Sequence, residues 1–192
     1  MVETITPAVH GGRRRSYAAA VALHVLGAGL SAAALGVSLG AIGHLLGAPW
    51  DRLGKGLIAL TALLYALRET GLVRAPVGAL RHQVPEWWRT FFSPETTALL
   101  YGAGLGFGFG THLSHGTLVA VSVAAALSGD PLLGALLCAP FGLTRAASAV
   151  VAGARDPAAA VNRLDELAVT PLARIANAAA LTVIAATALG VL

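Results

Sequence analysis

Two histidines, His112 and His115, stand at i and i+3 inside the run GFGFGTHLSHGT, with Thr111 and Ser114 beside them. Neutral imidazole is the commonest metal ligand, and two ligands from one short segment are typical of metal sites. On a helix this spacing puts both rings on one face. Coordination of a transition metal, axial ligation of haem b and proton exchange are the chemistries open to the pair. The structural alternative is that both rings hydrogen-bond carbonyls freed where a helix breaks. Thr111, His112, Ser114 and His115 are therefore expected to line a substrate cavity, joined by Thr144 and Arg145. An arginine deep in an apolar run suits an anionic substrate, a lipid phosphate or a haem propionate. It can equally cap carbonyls exposed by Pro140 or snorkel to the surface. His24 and His44 are further candidate metal or haem ligands. Their spacing turns them about 200° apart on one helix, so they cannot share a ligand, but each can pair with His112 or His115.

Gly106, Gly108 and Gly110 alternate through the same passage and read either as a helix contact face or as a hinge, since glycine leaves helical geometry cheaply. No glycine-rich phosphate loop, paired catalytic carboxylate or nucleophile–base motif is recognisable, so no residue is assigned a catalytic role. Glu69 is read with Arg68 as the end of its apolar run, and none of the other eight acids falls inside a span, which argues against a carboxylate-driven cation carrier.

The elements that must hold these residues are long apolar runs. Of the 192 residues, 11% are charged and 56% are hydrophobic. A soluble domain carries about 25% charged residues. The chain is thus expected to be an all-α integral membrane protein, with the lipid bilayer as its first partner. Its 23 glycines suit close helix packing. The net charge of +4 comes from clusters, Arg13 to Arg15, then Arg68, Arg74, Arg81 and Arg89, then Arg155, Arg163 and Arg174. These clusters report orientation, and with no continuous basic face no nucleic-acid partner is expected. Cys138, the single cysteine, excludes an internal disulfide. MVETITPAVHGGRRRS is read as a cytoplasmic tail, residues 1–16, and not as a cleavable signal.

A single transmembrane domain then covers 17–192. Its five expected spans are 17–47, 56–73, 96–128, 132–153 and 171–192. In the first, Gly36, Gly40, Gly43 and Gly47 recur on one face for helix contact. PEWWRTFFSPE makes an interfacial helix, after which Ser93-Pro94-Glu95 supplies an N-cap, an N1 proline and an early acid. The third span, too long for one regular crossing, is expected to break between Gly106 and Ser114. Pro140 interrupts the fourth, and a second interfacial helix follows Asp156-Pro157. The basic clusters place the N-terminus in the cytoplasm and the C-terminus outside, in the cell membrane.

In order of elements, the chain resembles the transmembrane core of the CcdA/DsbD cytochrome c biogenesis family, within the LysE-like group of transporters. GFGFGTHLSHGT falls at the centre of the family's long broken helix, and DPLLGALLCAPFGL resembles the helix that follows. The resemblance implies a carrier scaffold. It does not extend to the family's thiol relay, because Cys138 matches neither of the two redox cysteines. The function expected is a polytopic carrier handling a small solute, a transition metal ion or an anion through a central His/Gly-lined site. The alternatives are a non-catalytic membrane subunit, held by a homo-oligomer or membrane-complex partner, and a haem-binding electron-transfer subunit.

Overall fold

The computed structural model describes residues 5–76, 87–108, 115–155, 166 and 170–190. Every regular element among them is helical. A 3-10 turn at Pro7–His10 leads into α1 (Arg14–Leu45), α2 (Asp51–Glu69), the short α3 (Trp88–Phe91), α4 (Pro94–Phe107), α5 (Thr117–Ser128), α6 (Pro131–Arg155) and α7 (Pro171–Leu189). The all-α expectation therefore holds.

Three helical stretches, Arg14–Leu45, Pro131–Ala154 and Pro171–Leu189, are long and apolar enough to cross a membrane. The other helices fall short for two reasons. α2 opens on Asp51, Arg52 and Lys55 and closes on Arg68 and Glu69. α4 and α5 have 14 and 12 residues, or about 21 and 18 Å against an apolar core of about 30 Å. The stretch 96–128 thus contains two helical segments, one ending at Phe107 and one beginning at Thr117, with 109–114 outside the described residues.

The chain divides into two compact units, and both α1 and α6 pass from one to the other. The first unit comprises Met1–Ala32, Leu80–His112 and Ala139–Leu167. Its core is built of small side chains, Ile5 with Ala20, Ala98 and Ala149, and Ala28 with Leu105 and Ala146. Glycines let the backbones touch. A Cβ on Gly102 would run into the His24 carbonyl, and one on Gly106 into the Ala28 carbonyl and Ser31 Oγ. Ser93 caps α4 by accepting the Thr96 N–H at 3.2 Å, with Pro94 at the first helical position. This matches the sequence reading of that start. Ser16 Oγ donates to Glu95 Oε1 at 2.6 Å and so ties the start of α1 to the start of α4.

The second unit comprises Ala33–Ala79, Leu113–Cys138 and Ala168–Leu192. Here α2, α5 and α7 share a core of Ala59, Ala62, Tyr65, Ala66, Ala120, Leu181 and Ala185. Gly36, Gly40 and Gly43 face the backbones of Gly134, Asp130 and Ala126, as their spacing predicts. Gly47 does not join them. The helix has ended at Leu45, and Gly47 takes a left-handed φ of 82° with open space around its Cα.

α6 runs through Pro140 without interruption, contrary to expectation. Proline removes one N–H from the ladder, and this helix continues with that one donor missing. The second interfacial helix, expected after Asp156-Pro157, lies outside the described residues.

Candidate functional site: a buried carboxylate and its imidazole

Glu69 is the last residue of α2, and its side chain is only 2% exposed. Carboxylates are almost never buried unless paired, and this one has three donors. His115 Nδ1 lies 2.7 Å from Oε2. Arg68 Nη1 donates to Oε1 at 3.0 Å, and the Gly116 backbone N–H donates to the same oxygen at 3.1 Å. An ionised carboxylate only accepts, so it fixes the His115 tautomer with the proton on Nδ1. Nε2 is then left as the acceptor nitrogen of the ring. The His115 side chain keeps 21% of its surface exposed while Glu69 is sealed.

Local structure explains the geometry. Beyond α2 the chain folds back on the helix's last turns, with Tyr65 Oη donating to the Pro76 carbonyl at 2.7 Å and Arg68 Nε to the Ala75 carbonyl at 2.9 Å. Gly116 is the N-cap residue of α5, and no side chain caps that helix. The Glu69 carboxylate accepts from the N–H of this N-cap residue, at a helix start where negative charge is favoured by the aligned N–H groups. Gly116 must be small because a Cβ would strike the Tyr65 ring. One residue further, Thr117 Oγ1 donates to Asn177 Oδ1 of α7 at 2.6 Å. Asn177 Nδ2 in turn donates to the Ala173 carbonyl at 2.8 Å. Charged and amide groups thus gather at the start of α5, in a unit otherwise cored mostly by alanine.

His115 is the sequence candidate that this cluster contains. Thr111, His112, Ser114 and Gly110 lie outside the described residues. Gly106 is packed against α1, and Gly108 ends α4 with a left-handed φ of 73°. Thr144 is exposed, its hydroxyl donating to the Pro140 and Phe141 carbonyls at 2.9 and 3.0 Å. The Arg145 guanidinium lies 5.4 Å from the Phe141 ring centre. His24 is buried in the first unit with Nδ1 3.1 Å from the Ala98 carbonyl. His44 is exposed near the end of α1, in the second unit and apart from the cluster.

Sequence reasoning missed Glu69, because an acid beside Arg68 at the end of an apolar run reads as a boundary. A usable signal exists. Ala59, Ala62, Ala66 and Glu69 follow one another at three, four and three residues, so Glu69 continues the buried stripe of α2.

Among the described residues no group of three His, Cys, Asp or Glu is arranged to hold a metal ion, and both Glu69 oxygens are already engaged.

Among the described residues, three long apolar helices are compatible with a membrane protein. No family model matches the chain, and no solved structure does. The chain is similar to Methylamine utilization protein MauF of Paracoccus versutus, 35% identical over 92 residues, which are 48% of this chain and 34% of that protein. The similarity thus spans about half of this chain and a third of its relative.

Proposed function

We propose that the chain is a multi-pass membrane protein that carries a small solute in the service of methylamine utilization, with Glu69 and His115 at its polar centre. The observation that carries this reading is the sealed Glu69 carboxylate held against a partly exposed imidazole in an apolar helical unit. Ionisable groups in such surroundings mark substrate or proton pathways. The similarity to a methylamine utilization protein points to a small amine as the solute. A carboxylate core favours a cation such as methylammonium over an anion. His115 is the donor that an incoming ammonium would replace at Oε2, since Arg68 and the Gly116 N–H hold the other oxygen.

The carrier scaffold of five crossings with a broken third span, as the CcdA/LysE-type resemblance implies, belongs to this proposal. The second reading is a non-catalytic subunit of a membrane assembly. It is favoured by one observation, that all Glu69 acceptors are satisfied within the chain, as a structural latch requires.

Calorimetric titration of the purified protein with methylammonium separates the two. Saturable binding that Glu69→Gln abolishes is expected for the carrier. Absence of binding by the wild-type chain removes the carrier reading and leaves the latch.

A further inference from the structure

At one end of the first unit, three arginines and a group of aromatic rings are brought together from distant parts of the sequence. Ser16 Oγ bonds Glu95 Oε1 at 2.6 Å, which fixes the start of α1 beside the start of α4. Arg13, Arg14 and Arg15 immediately precede Ser16, and all three are exposed. They form no ion pair among the described residues. The neighbouring carboxylate, Glu95, has taken the Ser16 hydroxyl instead.

On the other side of the same contact, α3 ends two residues before the α4 cap. Trp88 is held down there, stacked on Tyr101 with ring centres 6.0 Å apart and its carbonyl accepting from Thr97 Oγ1 at 3.2 Å. With Trp88 fixed, the adjacent rings turn outward. Trp87 is 54% exposed, Phe91 75% and Phe92 42%. Trp87 and Phe91 meet edge to face at 5.6 Å, forming one small apolar wedge.

We infer that this end of the unit is a binding site for the headgroups of anionic phospholipids. The aromatic wedge enters the interfacial layer, and Arg13, Arg14 and Arg15 bind the lipid phosphates. Each half has its own physical reason. Tryptophan and phenylalanine rings partition to the headgroup level of a bilayer. Guanidinium groups form paired hydrogen bonds with phosphate oxygens, and clustered basic residues beside a span favour anionic over neutral lipid. α1, which starts at Arg14, is also one of the helices long and apolar enough to cross the membrane, so its first turn belongs at the headgroup level. A neutral lipid surface would satisfy the rings and leave three exposed guanidinium groups unmatched. An anionic one satisfies both.

The test is quenching of tryptophan fluorescence by brominated lipids, in a Trp50→Phe background that leaves Trp87 and Trp88 as reporters. The protein is placed in nanodiscs where either phosphatidylglycerol or phosphatidylcholine carries the bromine, at equal mole fraction. Brominated phosphatidylglycerol is expected to quench more strongly, with a local preference of about fivefold or more from the basic cluster. The Arg13→Gln/Arg14→Gln/Arg15→Gln variant is expected to lose the preference, and the corresponding triple lysine variant to keep most of it. Added salt should weaken the preference in the unaltered cluster, a readout that does not depend on how the glutamine variant inserts. Equal quenching by both lipids overturns the inference. So does an unchanged preference in the triple glutamine variant, or absence of quenching by either lipid. None of these outcomes depends on whether methylammonium is carried.

Discussion

Replacing Glu69 by alanine strips His115 and the Gly116 N–H of their acceptor in one step. A buried group left unsatisfied costs about 1–3 kcal/mol, and thermal unfolding in detergent should show a loss of that order. His115→Ala should cost less, because the imidazole is partly exposed and the carboxylate keeps two other donors. The double variant should be less destabilised than the sum of the two, since residues in contact do not act additively. Strict additivity would mean that the 2.7 Å contact contributes nothing. In the first unit, the Ser16 hydroxyl, with the backbone N–H of Glu95 next in weight, holds the Glu95 carboxyl below the usual carboxylate range. A group whose folded pKa is depressed adds stability above its unfolded pKa, and that stability is lost as pH falls through the folded value. Ser16→Ala should therefore flatten the acid side of the stability–pH curve and leave the neutral region with the same slope. A curve unchanged in acid would dismiss this contact. Sequence made His115 legible, because histidines in apolar runs stand out. It hid Glu69, whose imidazole partner lies 46 residues further on.

Helix contacts obey the spacing of small residues, and substitutions should sort accordingly. A Cβ on Gly43 would meet the Ala126 carbonyl, and one on Gly36 would meet the backbone of Gly134. Backbone cannot step aside as a side chain can, so Gly43→Ala and Gly36→Ala should separate α1 from its neighbours and lower the melting temperature. Gly56→Ala, inside α2 with nothing within 4 Å, should instead stabilise by up to about 1 kcal/mol through helix propensity. Equal effects at Gly43 and Gly56 would contradict the packing account. These faces were legible because glycines at three- and four-residue spacing have few other uses. The Ser93-Pro94 cap was legible for the same reason. Pro140 was misread because proline's local cost says nothing about whether the surrounding helix can bear it. Gly47 was misread because spacing alone does not reveal where a helix stops.

Among the described residues, three helices are long and apolar enough to cross a membrane. The fuller count of five crossings predicts a cytoplasmic N-terminus and an outer C-terminus. In a Cys138→Ala background, single cysteines at Arg13 and Leu189 should label from opposite sides of the membrane. Labelling from one side would require an even number of crossings. Composition made the helical class legible. It could not reveal the division of α1 and α6 between two compact units, which depends on contacts between residues far apart in the chain. The central claim, that Glu69 and His115 serve the passage of a small amine, is tested most directly by uptake of radiolabelled methylammonium into proteoliposomes. Wild-type protein should accumulate it above protein-free vesicles, and Glu69→Gln and His115→Ala should each reduce the initial rate at least about tenfold, as loss of roughly 1.4 kcal/mol would. Uptake by wild-type protein no faster than by empty vesicles, or equal rates in wild type and both variants, would contradict it.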